Sequence, residues 1–253
     1  MQKTKYLLPN ALTLVNLFLG SFAIIIAFKG QNEYNAAWLI ILAALFDMLD
    51  GWAARLLNAK SEFGKQLDSL ADVVSFGVAP AILLFNWLYM VLTKLSRFST
   101  FEMNSANLGQ NIILLCSLLY ALAAAIRLAK FNISGSSGRL FRGLPTPAAA
   151  LIIASIWLLI NSESKLIQPV ILNIYFVLSF IVVIIYLMLS NIRMLSLKFD
   201  GAGISKNYLQ YLVILAAIIF VVVFRLEGIL FALVFYLILS FISAAAGLYK
   251  SAS

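Results

Sequence analysis

Residues 47–72 read DMLDGWAARLLNAKSEFGKQLDSLAD and hold four of the five aspartates in a chain of 253 residues. The four are Asp47, Asp50, Asp68 and Asp72. The chain is 63% hydrophobic, and an ionised carboxylate in apolar surroundings is costly unless it is paired. Four carboxylates can therefore share such surroundings only if positive charge joins them. A cluster of divalent cations is the simplest source of that charge, so this stretch predicts the working site of the protein.

The rest of the chain consists mainly of long apolar runs. Soluble domains are about 45–50% apolar, which is well below the content of this chain. The runs are continuous rather than alternating, which favours membrane-spanning helices over the strands of a barrel. The predicted spans are roughly 8–28, 35–57, 68–92, 109–130, 145–162, 168–191, 208–224 and 227–248. We therefore expect an all-α, polytopic transmembrane helical bundle of about eight spans in the lipid bilayer.

The distribution of basic residues orients these spans. All but five of the 18 Lys and Arg residues fall on one side, and the exceptions are Lys29, Lys94, Arg97, Lys165 and Arg225. Basic residues concentrate on the cytoplasmic side of membrane proteins, next to anionic lipid. Both termini and the aspartates are therefore expected in the cytoplasm. The same rule accounts for the net charge of +8, so we expect no nucleic-acid partner.

Helical spacing brings the aspartates together in pairs. Asp47 and Asp50 are three residues apart, and Asp68 and Asp72 are four apart, so each pair shares one face of a helix. The polar segment NAKSEFG, residues 58–64, is predicted to form the turn that points both pairs into one gap. Carboxylate oxygens suit Mg²⁺, Mn²⁺ or Ca²⁺ better than zinc, and the pattern fits one ion or two.

The residues around the aspartates indicate a phosphate ligand. Gly51 and Ala54 leave a bare strip on the second span, and Gly64 does the same on the third, so a ligand or a helix can approach closely. Arg55 supplies a fixed positive charge one turn beyond Gly51. The alternative is a set of interhelical salt bridges between the aspartates and Arg55 with its two neighbouring lysines. The chain has no histidine, so a general base has to be sought among the carboxylates.

The complete pattern resembles the signature of a known family. The pattern is Asp50-Gly51-x2-Ala54-Arg55-x8-Gly64-x3-Asp68-x3-Asp72, with Asp47 leading, and it resembles that of the CDP-alcohol phosphatidyltransferases. The resemblance implies six core transmembrane helices, a cytoplasmic site for two Mg²⁺ or Mn²⁺ ions held by the four aspartates, and a homodimer. Ca²⁺ is a further possible occupant. The implied reaction moves a phosphatidyl group from a CDP-linked donor to an alcohol and releases CMP.

Three other segments narrow the acceptor. YLLPNALTLVN (6–16), RLAKFNIS (127–134) and GLPTPAAA (143–150) resemble the serine-using, membrane-embedded bacterial members of that family. The resemblance implies that the phosphatidyl group of CDP-diacylglycerol passes to L-serine, giving phosphatidylserine and CMP. From the residues of the site, the hypothesis is a direct attack by the serine hydroxyl with Asp72 as the base. The resemblance also implies a prokaryotic plasma membrane. We predict one domain over 1–253, with a catalytic core at about 5–190 and an additional helix pair at about 205–250 that carries no motif.

Polar residues in the first span are expected to bind the nucleotide. Asn10, Thr13 and Asn16 fall within an arc of about 120° on a helix, and polar groups in a span usually face the protein interior. The resemblance assigns them to the cytidine nucleotide. The alternative is an ordinary helix start with a capping residue.

Basic residues near the fourth and fifth spans are the weaker site candidates. Arg127 and Lys130 are one turn apart and are interpreted either as positive-inside anchors or as an anion site for the serine carboxylate or a lipid phosphate. Arg139 and Arg142 flank the break at Gly143 and are interpreted as headgroup contacts.

Three alternative functions remain open at this stage. The same chemistry could use glycerol 3-phosphate or inositol phosphate, with the four basic residues binding the acceptor phosphate. Intramembrane carboxylates also mark ion-coupled transporters, but the second half of the chain has no counterpart of the aspartate cluster. A non-catalytic scaffold would be expected to have lost at least one motif aspartate.

Overall fold

The computed structural model describes residues 4–28, 32–59, 61–96, 108–134, 141–160, 168–195, 208–224 and 227–245. Its helices are α1 (Leu7–Phe28), α2 (Glu33–Leu56), α3 (Glu62–Asp72), α4 (Ala79–Ser96), α5 (Leu108–Leu115), α6 (Leu118–Ser134), α7 (Thr146–Ile160), α8 (Gln168–Ile171), α9 (Ile174–Leu189), α10 (Tyr208–Phe224) and α11 (Glu227–Ala245). A 3-10 turn (Thr4–Tyr6) precedes α1, and a π-helical turn (Val73–Val78) joins α3 to α4. The strands β1 (Phe141–Arg142) and β2 (Arg193–Met194) form one short antiparallel pair.

The helical membrane bundle expected from the sequence is confirmed. Within the described residues, four helices are long and apolar enough to cross a membrane: Leu7–Phe28, Glu33–Leu56, Glu62–Lys94 and Leu108–Ile133. The other four predicted spans correspond to shorter apolar helices. Large apolar side chains such as Phe18 (66% exposed) point outward, as a surface against lipid requires. The chain is an integral membrane protein.

The turn between the second and third spans is shorter than the sequence predicted. Asn58 adopts a left-handed conformation (φ 47°), which asparagine tolerates better than most residues and which ends α2. Ser61 then caps α3, because its Oγ accepts a hydrogen bond from the backbone N–H of Gly64 (2.9 Å). Glu62–Gly64, expected in the turn, therefore belongs to the first turn of α3.

A proline explains the π-helical turn that follows Asp72. Pro80 has no N–H to donate, and its ring crowds the carbonyl four residues earlier, which is that of Phe76. The helix widens over Val73–Val78, and the Tyr120 hydroxyl of α6 donates a hydrogen bond to the Phe76 carbonyl (3.0 Å). Tyr120 is fully buried, so this contact fixes α6 against the π-helical turn.

The first helix packs closely against the same turn. A Cβ on Gly20 would lie 2.6 Å from the Ser75 Cα, so only glycine permits this approach. The Ser75 hydroxyl donates to the Asn16 carbonyl (3.0 Å) and pins α1 in register with the π-helical turn. The polar residues of α1 are thereby held beside α3.

The segment that leads into α7 lies against the end of α9. Gly143 adopts φ +74°, and a Cβ there would lie 2.6 Å from the Met188 carbonyl oxygen. Its N–H donates to the Ile192 carbonyl (2.8 Å), and the N–H of Leu144 donates to that of Leu187 (2.9 Å). These bonds and the β1–β2 pair fix where α7 begins.

Candidate functional site

The last third of α2 and the length of α3 place the acidic side chains together. Ligand oxygens of Asp47, Asp50 and Asp68 lie within 4.8 Å of one another. Asp72 lines the same cavity as Asp47 and Asp68 and is only 8% exposed. The structure thus brings together both predicted pairs, and their oxygens form a ligand set that suits a divalent cation.

The alternative interpretation, salt bridges between the aspartates and neighbouring basic residues, is not supported in the described part of the chain. Arg55 is exposed and lines the cavity, and no ion pair joins it to the aspartates. Lys65 Nζ donates to the backbone carbonyl of Asn132 (3.2 Å). Lys60 lies outside the described residues.

Polar atoms that are buried without a hydrogen-bond partner concentrate at this site. Among the described residues they are Asn16 Oδ1, Asp68 Oδ1 and Arg127 Nε. Nearly all buried polar groups in proteins are hydrogen-bonded, and an exception calls for a ligand, an ion or a water. The carboxylate oxygen of Asp68 fits a cation, and the Arg127 N–H fits an anion or another acceptor. The donor set therefore fits a divalent metal beside an anionic ligand.

The polar face of α1, predicted to face the protein interior, contacts the acidic cluster. Thr13 Oγ1 lies 2.6 Å from Asp50 Oδ2 and 3.0 Å from the Pro9 carbonyl, and its single proton is donated to one of the two. Asn16 Nδ2 donates to Asp72 Oδ1 (3.4 Å). Their placement is established, and their role in nucleotide binding stays a prediction.

The small residues of the motif have different surroundings. A Cβ on Gly51 would meet nothing within 4 Å, so open space adjoins α2 there. A Cβ on Gly64 would lie 3.2 Å from Asn10 Oδ1, which places Asn10 against the start of α3. Ala54 is half-buried, and its carbonyl accepts the bond from Ala59 N–H (2.9 Å) that closes the end of α2. Gly51 thus leaves room for a ligand, whereas Gly64 permits close packing.

A cavity of about 1110 Å³ adjoins the aspartates. This volume matches the upper end of typical small-molecule sites. Its wall combines charged and polar groups with apolar side chains such as Trp52 and Phe131. Such a mixed wall suits a ligand with a charged head and an apolar tail.

The basic residues proposed as weaker site candidates differ in burial and in whether they line the cavity. Arg127 is only 9% exposed, lines the cavity and donates from Nη1 to Thr146 Oγ1 (3.1 Å). A surface anchor would keep its guanidinium in water, so the positive-inside interpretation does not fit Arg127. Lys130 is exposed and is not part of the cavity wall. Arg139 lies outside the described residues. The backbone of Arg142 pairs with Arg193 between β1 and β2, and its side chain lies outside the described part of the chain.

Other cavity residues were missed by the sequence analysis. Asn132 Nδ2 donates to Ser69 Oγ (2.8 Å), which joins α6 to α3. Asn132 and Thr146 lie inside the segments RLAKFNIS and GLPTPAAA, which could have pointed to them. Tyr236 also lines the cavity, but it lies in an apolar span with no motif and gave no signal.

The fold and the site agree with a family model. The model for CDP-alcohol phosphatidyltransferase matches residues 6–190, and the chain belongs to this family. The resemblance inferred from the motif is confirmed. The chain is similar to the CDP-diacylglycerol–serine O-phosphatidyltransferase of Helicobacter pylori, with 35% identity over 190 residues, which cover 74% of this chain and 71% of the relative.

Two archaeal relatives are similar over a shorter part of the chain. A CDP-diacylglycerol–serine O-phosphatidyltransferase of Methanocaldococcus jannaschii is 37% identical over 155 residues, 61% of this chain and 62% of the relative. An archaetidylserine synthase of Methanothermobacter thermautotrophicus is 40% identical over 154 residues, 60% of this chain and 58% of the relative.

Proposed function

We propose that this protein transfers the phosphatidyl group of CDP-diacylglycerol to the hydroxyl of L-serine, giving phosphatidylserine and CMP. The observation that carries the proposal is one cavity bordered by a carboxylate cluster and by the buried Arg127 guanidinium. A CDP-linked lipid brings phosphates and an apolar tail, and serine brings a carboxylate. The relatives' names all contain serine, which supports it as the acceptor.

The acidic cluster would hold the divalent metal. Asp47, Asp50 and Asp68 supply three oxygen ligands within 4.8 Å of one another, and Asp72 is the fourth proposed ligand. Two ions, Mg²⁺ or Mn²⁺, are proposed, because carboxylates and phosphates are the ligands that these ions prefer. When bound, the metal supplies positive charge that stabilises the phosphate oxygens as CMP leaves.

The side chains of α1 and α2 are proposed to bind the donor. Thr13 and Asn16 contact the acidic cluster, Asn10 lies against the start of α3, and all three would hold the cytidine nucleotide. The open space beside Gly51 admits the phosphates, and the exposed Arg55 offers them positive charge. The apolar part of the cavity wall then receives the start of the lipid.

Arg127 and Asp72 are proposed to act on serine. The guanidinium binds the serine carboxylate, for which Nε has an unused N–H, and so orients the hydroxyl. Asp72 takes the hydroxyl proton while the serine oxygen bonds to the lipid-side phosphorus. The bond from that phosphorus to the CMP oxygen breaks, and its electron pair leaves with CMP. No covalent enzyme intermediate is required.

The orientation and assembly are also proposed. The excess of basic residues supports cytoplasmic termini and a cytoplasmic site in a prokaryotic plasma membrane. The family resemblance supports a homodimer. Accessibility labelling of an introduced terminal cysteine tests the orientation, and light scattering of the detergent-solubilised protein tests the dimer.

An assay of CMP release tests the proposed reaction. Purified protein in detergent receives CDP-diacylglycerol, Mn²⁺ or Mg²⁺, and in parallel L-serine, glycerol 3-phosphate or inositol phosphate. Of the three acceptors, we expect only L-serine to give CMP release, with phosphatidylserine as the lipid product. EDTA should abolish both the CMP release and the phosphatidylserine. Release with only a phosphorylated alcohol would assign Arg127 to the acceptor phosphate and refute serine as the acceptor. No release with any acceptor would favour the transporter or scaffold alternatives.

A further inference from the structure

The C-terminal helix pair contributes directly to the wall of the active-site cavity. Tyr236 of α11 lines the cavity and is 7% exposed. Its hydroxyl donates to the Leu195 carbonyl (2.9 Å), and the Leu195 N–H donates to Ser240 Oγ (3.4 Å). Tyr236 and Ser240 are one helical turn apart, so one face of α11 holds both backbone groups of Leu195.

Leu195 belongs to a segment that fixes the entrance to α7. It directly follows Met194, which is fully buried and pairs with Phe141 across the β1–β2 ladder. Immediately after this ladder the Gly143 N–H donates to the Ile192 carbonyl (2.8 Å). The position of Leu195 is therefore coupled through the ladder to residues 143–146.

That entrance in turn orients Arg127. Thr146 is fully buried at the first position of α7, and its hydroxyl accepts the bond from Arg127 Nη1 (3.1 Å). Backbone and side-chain contacts thus run from α11 through Leu195 and the start of α7 to the guanidinium. Thr146, Leu195 and Tyr236 line the same cavity as Arg127.

We propose that α11 forms the acceptor-side wall of the active site, with Tyr236 and Ser240 acting as positioning residues that hold Arg127 for the acceptor carboxylate. The inference rests on the proposed function and names the part of the chain that makes the acceptor subsite selective. This helix lies outside the family-matched residues 6–190.

The proposal separates acceptor binding from donor binding. Thr13 and Asn16, proposed to bind CDP-diacylglycerol, are hydrogen-bonded to Asp50 and Asp72 on α2 and α3. Neither of these hydrogen bonds involves Leu195. A substitution that weakens the α11 wall should therefore raise the KM for L-serine and leave the KM for CDP-diacylglycerol unchanged. If α11 had only a structural role, the same substitution would change the KM values for both substrates together.

The test compares Tyr236→Phe and Ser240→Ala with the wild-type protein in the full chain. The KM values for L-serine and for CDP-diacylglycerol and the kcat are measured separately from CMP release, after size-exclusion and Tm checks. Loss of one net hydrogen bond predicts a rise of about three- to tenfold in the KM for L-serine. The KM for CDP-diacylglycerol and the kcat should stay within about twofold of the wild-type values.

A matched control is Tyr186→Phe, because the Tyr186 side chain is 65% exposed on α9 and removed from the cavity wall. It should leave both KM values unchanged. If Tyr236→Phe cannot be recovered folded, Ser240→Ala decides the question by the same readout. An unchanged KM for L-serine in the folded variants, or an equal rise for both substrates, would overturn the proposal.

The wild-type measurement distinguishes the two possible failures. Absence of serine-dependent CMP release from the wild-type protein refutes the proposed function, and this inference with it. Serine-dependent release by the wild-type protein, combined with unselective effects of the variants, refutes only the role assigned to α11.

Discussion

Replacing Arg127 by lysine keeps the positive charge but removes the planar guanidinium. In the structure Nη1 is bonded to Thr146 and Nε has no partner among the described residues, so Nε can donate to an acceptor carboxylate. A hydrogen bond between charged groups contributes about 1.5–3 kcal/mol, which corresponds to roughly a 10- to 150-fold change in kcat/KM. We expect a loss of this size in kcat/KM for L-serine, with the KM for CDP-diacylglycerol nearly unchanged.

The comparison with Lys130 sharpens this experiment. Lys130 is exposed and is not part of the cavity wall, so Lys130→Gln should change the L-serine kcat/KM by no more than about fivefold, as exposed ion pairs do. Both variants are assayed by CMP release with each substrate varied in turn. Equal effects of the two substitutions, or an unchanged value for Arg127→Lys, would refute the assignment of Arg127 as the acceptor site.

The stability of Arg127→Met provides a second check. A buried guanidinium with an unpaired N–H opposes folding, so an apolar side chain of similar length should leave the Tm unchanged or higher. Activity should fall at least as far as in Arg127→Lys. A large drop in Tm, accompanied by an equal loss of affinity for both substrates, would instead assign Arg127 a structural role.

Four further outcomes are expected. Asp72→Asn should lower kcat by about 10²–10⁴-fold, the usual contribution of a general base, while calorimetry still detects binding of CDP-diacylglycerol. Gly20→Ala should destabilise the protein by roughly 1–3 kcal/mol and lower its Tm, because a Cβ would lie 2.6 Å from the Ser75 Cα. Gly51→Ala, facing open space, should keep or raise the Tm and yet raise the KM for CDP-diacylglycerol. EDTA should abolish CMP release, and added Mg²⁺ or Mn²⁺ should restore it.

Each of these expectations has an opposing result. Normal turnover by Asp72→Asn would remove Asp72 as the base. Equal Tm values for the two alanine variants would mean that α1 and the π-helical turn are not in close contact at Gly20. An unchanged donor KM in Gly51→Ala would show that the ligand does not approach α2 there. Turnover that survives EDTA would refute the metal requirement.

The helix period made the acidic site predictable from the sequence. Spacings of three and four residues place Asp47 with Asp50, and Asp68 with Asp72, on single helix faces wherever the helices lie. The short polar turn between the helices then leaves few arrangements other than an antiparallel pair. The polar face of α1 followed from the same geometry, because buried polar side chains in a membrane must find polar neighbours.

Local breaks were less predictable because they depend on partners far along the chain. Pro80 disfavours a regular α-helix over the preceding turn, a signal that the sequence analysis did not use. The π-helical form of that turn depends on the Tyr120 hydroxyl of α6, which donates to the Phe76 carbonyl. Likewise Ser61 could have been recognised as a cap. The polar residues that follow Ser61 are equally typical of a turn, so the local pattern does not place the start of α3.

The sequence by itself determined the membrane class, the family and the four carboxylates, because hydropathy and helical spacing are local properties of the chain. Only the tertiary structure decided between Arg127 and Lys130, which are three residues apart and equal in formal charge. Burial of one of them depends on where α7 begins. The place of Tyr236 at the cavity was decided in the same way, because it arises from the packing of α11 against Leu195, a contact between segments 41 residues apart that no local pattern records.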